Sequence, residues 1–187
     1  MKKYLAAFTL MLLSASAAQA DMFDNPTVSV LGGLTSHPNL TLGTTQPSVS
    51  DSYNAGARIS VDSPVPGFTM DADYFYNRGG YASGGSLNSQ SVMGDPMYHT
   101  PPTFPVRLYG GAGIGLVNSS LGGALKGSST VLGWQSIGGL EFPLDNGTGT
   151  TLFAEYRYQN AHNANAGTIR GVGNTSNNLS VGIKIPL

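Results

Sequence analysis

Polar and apolar residues alternate along most of this chain with a period of two. Residues 151–159 read Thr-Leu-Phe-Ala-Glu-Tyr-Arg-Tyr-Gln. A strand there puts Leu152, Ala154, Tyr156 and Tyr158 on one face and Thr151, Phe153, Glu155, Arg157 and Gln159 on the other. The same split recurs in eight segments, near 27–34, 53–62, 68–77, 90–98, 104–117, 130–143, 150–159 and 178–187. Charges of both signs repeatedly fall opposite the apolar face. A soluble sheet would turn that apolar face to a core, whereas one closed sheet in a membrane turns it to lipid and the charges inward. Most segments are close to the about 9 to 11 residues that a tilted strand needs to cross a bilayer. An even count closes antiparallel strands with both termini on one side. The pattern predicts an all-β fold, an eight-stranded antiparallel up-and-down transmembrane β-barrel.

Connections between the segments alternate in length. Residues 63–67, 99–103 and 144–149 are short and carry Pro-Val-Pro-Gly, Pro-Pro and Asn-Gly; residues 35–52, 78–89, 118–129 and 160–177 are longer and rich in Ser, Thr, Asn and Gly. Short turns on the side of the termini and long loops opposite are the arrangement of a bacterial outer-membrane barrel, with the long loops outside the cell. Outward aromatics fall in two sets. Tyr53, Tyr76, Trp134 and Tyr158 lie toward the long-loop ends, and Phe68, Tyr98, Phe104 and Phe142 toward the short turns. They are expected to form two girdles at headgroup level. The outward positions between them, such as Ala55, Ile59, Ala112, Ile114, Ala154 and Val181, are apolar. Pro96 falls where a ladder donor is expected, which predicts a bulge or an early strand end.

The first twenty residues change the picture of where the chain goes. Lys2 and Lys3 precede an apolar run, Tyr4 to Leu13, and Ala18-Gln19-Ala20 follows as an A-x-A cleavage site. Residues 1–20 are therefore expected to be a signal peptide and residues 21–187 a single barrel domain. The run is about half the length of a spanning helix. Lys2 and Lys3 leave with the signal, so 7 basic residues face 10 acidic ones, a net charge near −3 that argues against nucleic acid as a partner. The chain has 0 cysteines, which excludes disulfides and thiolate metal sites.

On the inward face the alternation places Arg58, Asp71, Asp73, Arg107, Glu141, Glu155, Arg157 and Lys184, four acids and four bases. An eight-stranded barrel has a lumen that side chains can fill, so these charges are expected to pair and plug it. Gly111, Gly113 and Gly115 share that face and are expected to leave room for Phe75, Tyr109 and Phe153. The run Gly110 to Gly115 is not a phosphate loop, since it lacks the G-x-G-x-x-G spacing, a following helix and a Lys-Ser/Thr. Asp71 and Asp73 could be imagined as an acid pair, but arginines across the lumen favour a structural ion network. His37 and His99 are isolated from other ligand types and read as turn or loop residues. No metal and no cofactor is expected. Asn39-Leu40-Thr41 matches a glycosylation acceptor but suits a bacterial-type barrel poorly.

Four segments in order carry a family resemblance: Ser91-Val92-Met93-Gly94-Asp95, Arg107 through Gly115, Gly133-Trp134-Gln135 through Glu141, and Glu155-Tyr156-Arg157-Tyr158. They resemble the successive strand motifs of the opacity-like and OmpA-like outer-membrane β-barrel family, over most of the mature chain. The resemblance implies an eight-stranded barrel in the Gram-negative outer membrane, surrounded by lipid and lipopolysaccharide, with no defined catalytic residues. Family members commonly end on an aromatic residue that the barrel-assembly machinery reads. Here Leu187 ends the chain, with Ile185 and Ile183 keeping the alternation, and the same machinery is the implied partner.

Residues His162-Asn163-Ala164-Asn165-Ala166-Gly167 are similar to the His-x-Ser-Asn-Ala-Gly segment of the lipid A deacylases. Ala164 stands where the serine nucleophile belongs, and residues 168–187 offer no acid to orient the histidine. The favoured expectation is a non-enzymatic protein with an envelope-structural or surface-interaction role, adhesion included, through long extracellular loops that meet a host or surface ligand. The alternatives are a small pore, a deacylase-like barrel without its nucleophile, and a soluble secreted barrel for a small apolar ligand.

Overall fold

A computed structural model describes residues 25–42, 52–81, 85–101, 105–123, 127–144, 147–166 and 169–187, with the side chains of 37–42, 81, 162–166 and 169–173 excepted. The expected signal peptide and its cleavage point, Phe104, and the side chains of His37 and His162 lie outside the described residues. Eight strands follow one another: β1 (Thr27–Leu42), β2 (Ser52–Asp62), β3 (Phe68–Tyr81), β4 (Gly85–His99), β5 (Arg107–Gly122), β6 (Gly127–Pro143), β7 (Thr151–Ala166) and β8 (Ile169–Pro186). Each pairs antiparallel with its sequence neighbours, and β1 pairs with β8 from Thr27↔Pro186 to Leu42↔Val172, closing the barrel. Closure leaves no edge inside the bilayer, where an unpaired backbone group has no water to bond.

The alternation is realised in three dimensions. Leu108, Ala112, Ile114, Leu116, Leu140, Leu152, Leu179 and Val181 are exposed on the outside, while Phe75, Met93, Met97, Tyr109, Val117, Ile137 and Phe153 are buried within. At the terminus end the connections are turns. Phe68 N–H donates to Val65 O at 3.1 Å with Pro66 and Gly67 between them; Gly67 has φ 81°, which a side chain at that turn position would resist.

At the opposite end the strands run further than the alternation predicts. Only residues 82–84, 123–126 and 167–168 separate β3 from β4, β5 from β6 and β7 from β8. Much of what the sequence offers as long loops is therefore ladder, and this corrects the expectation for three of the four. The physical reason is the solvent. Toward this end the outward side chains are Arg78, Asn88, Gln90, Asn118, Ser120 and Thr130, polar as a face in water would be, so the apolar alternation stops while the backbone pairing continues. Pro96 makes neither a bulge nor a strand end. The β4–β5 partners lapse between Gly94↔Ile114 and Met97↔Gly111 and resume in the same register.

Candidate functional site

The lumen is the place where chemistry-bearing side chains converge, and alternate residues of every strand project into it. Five of the eight charged residues that the alternation points inward form one group. Arg58 Nη2 lies 2.8 Å from Glu155 Oε2 and 3.8 Å from Asp73 Oδ2, and Arg58 Nε lies 3.6 Å from Asp71 Oδ2. Arg157 Nη2 bonds Asp73 Oδ2 at 2.6 Å and Glu155 Oε1 at 2.9 Å, and the guanidinium carbon lies 4.2 Å from the centroid of the Phe75 ring. Arg157 is 0% exposed and Glu155 1%. Removing such charges from water costs several kcal/mol per ion, so they persist only through these contacts.

The remaining three gather nearer the terminus end. Glu141 accepts from Lys184 and pairs with Arg107 Nη2 at 3.2 Å and with His99 Nδ1 at 3.3 Å. His99 is thus not an isolated turn residue. It closes β4, and its ring stacks on Tyr109 at 5.5 Å. Tyr109 in turn donates its hydroxyl to Glu155 Oε2 at 3.0 Å, linking the two groups.

Two further members were not anticipated. Asp95 is wholly buried and accepts from Gln135 Nε2 at 2.7 Å; Gln135 Oε1 accepts from Arg157 Nη1 at 3.2 Å. Both share the inward parity of their strands, so the signal was present in the alternation. Asp95 gives the described lumen one more acid than the balanced set. Asp73 Oδ1 and Asp95 Oδ2 have no protein hydrogen-bond partner.

The glycine row serves neighbours other than those expected. A Cβ at Gly111 or Gly115 would strike Met97 or Met93, and one at Gly113 would strike the Asp95 carboxylate. The three aromatics instead pack over glycines of adjacent strands, Phe75 over Gly56, Tyr109 over Gly139 and Phe153 over Gly182. With Leu31, Met97 and Ile137 they form an apolar cluster. Toward the far end lies a neutral network in which Thr35 donates to Asn178 Oδ1 at 2.6 Å and Ser180 to Asn54 Oδ1 at 2.9 Å. Met93, Val117 and Ala161 form a second apolar cluster.

Outside, Tyr53 and Tyr76 approach to 6.5 Å, Trp134 and Tyr158 to 5.3 Å, and Phe68 and Tyr98 to 5.1 Å. Phe142 is also outward. Tyr76, Trp134 and Tyr158 lie several residues short of their strand ends. Ile183, Ile185 and Leu187 fall on the outward face of β8 and just beyond it. Of the segment resembling the deacylases, Gly167 and the side chains of 162–166 lie outside the described residues; along its backbone the β7–β8 register slips between Ala161 and Ala164 and again before Ala166. Among the described residues no three His, Asp or Glu side chains converge as a metal site.

The family model described as outer membrane protein beta-barrel domain matches residues 5–184. In fold the chain is similar to neisserial surface protein A, NspA, with a TM-score of 0.69 and 17% identity over 88% of this chain and 99% of that one. It is also similar to OprG of Pseudomonas aeruginosa, with 0.51 and 10% over 88% and 97%. The N-terminal barrel domain of Pseudomonas aeruginosa OprF gives 0.50 and 17% over 87% and 99%. No curated protein matches the chain in sequence.

Proposed function

We propose, for a chain that belongs to the outer membrane protein β-barrel family and lies in the bacterial outer membrane, that it is a non-enzymatic scaffold whose outer strand tips serve envelope structure or surface interaction. The observation that carries this reading is the filled lumen. Arg157, Glu155 and Gln135 are at most 1% exposed and are held in one network with Phe75 and Tyr109. Such a plug leaves transport little room and gives the hairpins beyond the upper aromatics a rigid base. The reading is non-enzymatic because Ala164 replaces the nucleophile that the deacylase-like segment would need.

Planar-bilayer recordings of the purified protein are expected to show no discrete openings at any voltage, and stepwise conductance would replace this reading with the pore. Lipid A from cells with and without the protein is expected to give identical mass spectra; loss of one acyl chain would make it a hydrolase. A specific-protease sequence inserted among residues 82–84 is expected to be cut on intact cells. An uncut hairpin on intact cells that is cut after permeabilisation would place these tips inside and end the surface role.

A further inference from the structure

The barrel wall is not closed along its whole height. β6 pairs with β5 through Leu121↔Gly127, yet its pairing with β7 begins only at Gly133↔Ala161. Beyond Ala161, β7 follows β8 through two register slips and leaves β6 behind. Among the described residues, Gly127–Leu132 therefore have no ladder partner on their β7 side and offer a backbone edge there. Inward Gln135 and Ile137 are buried, whereas inward Ser129 and Val131 are only partly buried, Val131 against Met93, Val117 and Ala161, the last β7 residue that pairs with β6. The edge starts just above Trp134, whose ring packs on Tyr158; its first outward residue, Leu132, is still apolar, and above it the outward Thr130 and Ser128 are polar, the chemistry of a wall that faces water rather than lipid.

We propose that this edge of β6 is a docking strand for an extended segment of another protein, taken up as an added antiparallel strand. The inference rests on the surface-interaction reading above. Edges left in water are ordinarily blunted by lysine, proline, a bulge or very short length. Gly-Ser-Ser-Thr-Val-Leu has no charge and no proline, it is in unbroken register with β5, and its six residues span roughly 20 Å. Main-chain bonds from such an edge supply affinity for an incoming strand, and the exposed Thr130 and Leu132 side chains supply its preference for uncharged, β-branched or apolar neighbours. A second copy fits poorly. Two barrels inserted the same way and related by an axis along the membrane normal bring their β6 edges together in parallel, whereas every ladder in this sheet is antiparallel.

The test uses the full-length folded barrel in detergent micelles and a fluorescent peptide of the sequence Leu-Val-Asn-Ser-Ser-Leu, which copies the β5 segment that β6 already pairs with. Saturable binding is expected, with slowed hydrogen exchange at alternate amides of Ser128 to Leu132. The same peptide methylated on alternate backbone nitrogens is expected to bind at least tenfold more weakly. Of S129P and T130P, the one whose amide faces the open side is expected to lose the peptide while keeping the unheated gel mobility of a closed barrel. Absence of binding, equal binding of the methylated peptide, or protection elsewhere in the barrel overturns the inference. So does a concentration-dependent dimer that S129P or T130P abolishes, because the occupant is then another copy. If the peptide fails while the protease site inserted among residues 82–84 is still cut on intact cells, the edge is wrong and the surface reading stands.

Discussion

At the scale of single residues, the lumen separates charges that are held from charges that are only tolerated. Glu155 is shared by Arg58, Arg157 and the Tyr109 hydroxyl. Glu155→Gln leaves two buried guanidiniums short of a counter-charge and is expected to cost about 3 to 5 kcal/mol, read from urea unfolding in lipid vesicles. Asp95 has one oxygen on Gln135 and the other without a protein partner. Asp95→Asn keeps the acceptor for Gln135 and removes the surplus acid, so the same assay is expected to find it neutral or stabilising; a loss as large as that of Glu155→Gln would mean that Asp95 holds a cation. Phe153 packs over Gly182, and Gly182→Val drives two methyls into that ring and is expected to cost about 1 to 3 kcal/mol. An unchanged unfolding midpoint would show that the ring has room to move.

Along the strands, two different rules set the outward face. Ala112 and Ile114 of β5 are outward and apolar, while Gln90 of β4, the ladder partner of Tyr76, and Asn118 of β5 are an outward polar pair further up the same ladder. Ala112→Arg is expected to cost about 2 to 4 kcal/mol, the penalty of a cation near the bilayer midplane. Gln90→Arg is expected to stay within about 0.5 kcal/mol, as for an ordinary surface change. Equal costs at the two positions would refute the placement of the lipid boundary. Gly113 makes a poor comparison, because the Asp95 carboxylate fills the space that a side chain there would need.

For the molecule as a whole, closure is the cooperative event. β8 pairs with β7 on one side and β1 on the other, and Leu187 N–H donates to Pro26 O at 2.9 Å. An SDS sample kept cold is expected to run faster than a boiled one, and deletion of residues 178–187 is expected to abolish the shift by leaving Thr27 to Thr35 of β1 and Thr151 to Arg157 of β7, the lower halves of the seam, without their β8 partners. A shift that survives the deletion would mean that the upper half of β8, still paired with β1 and β7, is enough to close the barrel.

The alternation in the chain determined which side chains face lipid and which face the lumen, because that choice is local: two solvents act on the two faces of each strand. It therefore yielded eight strands, the inward Arg58, Asp73, Glu155 and Arg157, and the outward Trp134 and Tyr158. It carried Asp95 and Gln135 as well, through their parity. Where the outward face meets water the alternation has nothing to report, and the upper parts of β4, β5 and β6 read as loops. Only the tertiary structure decided which charges meet, which glycine lies under which ring, and where β6 parts from β7. Those outcomes depend on the stagger between strands distant in sequence, and that stagger is fixed when the sheet closes on itself.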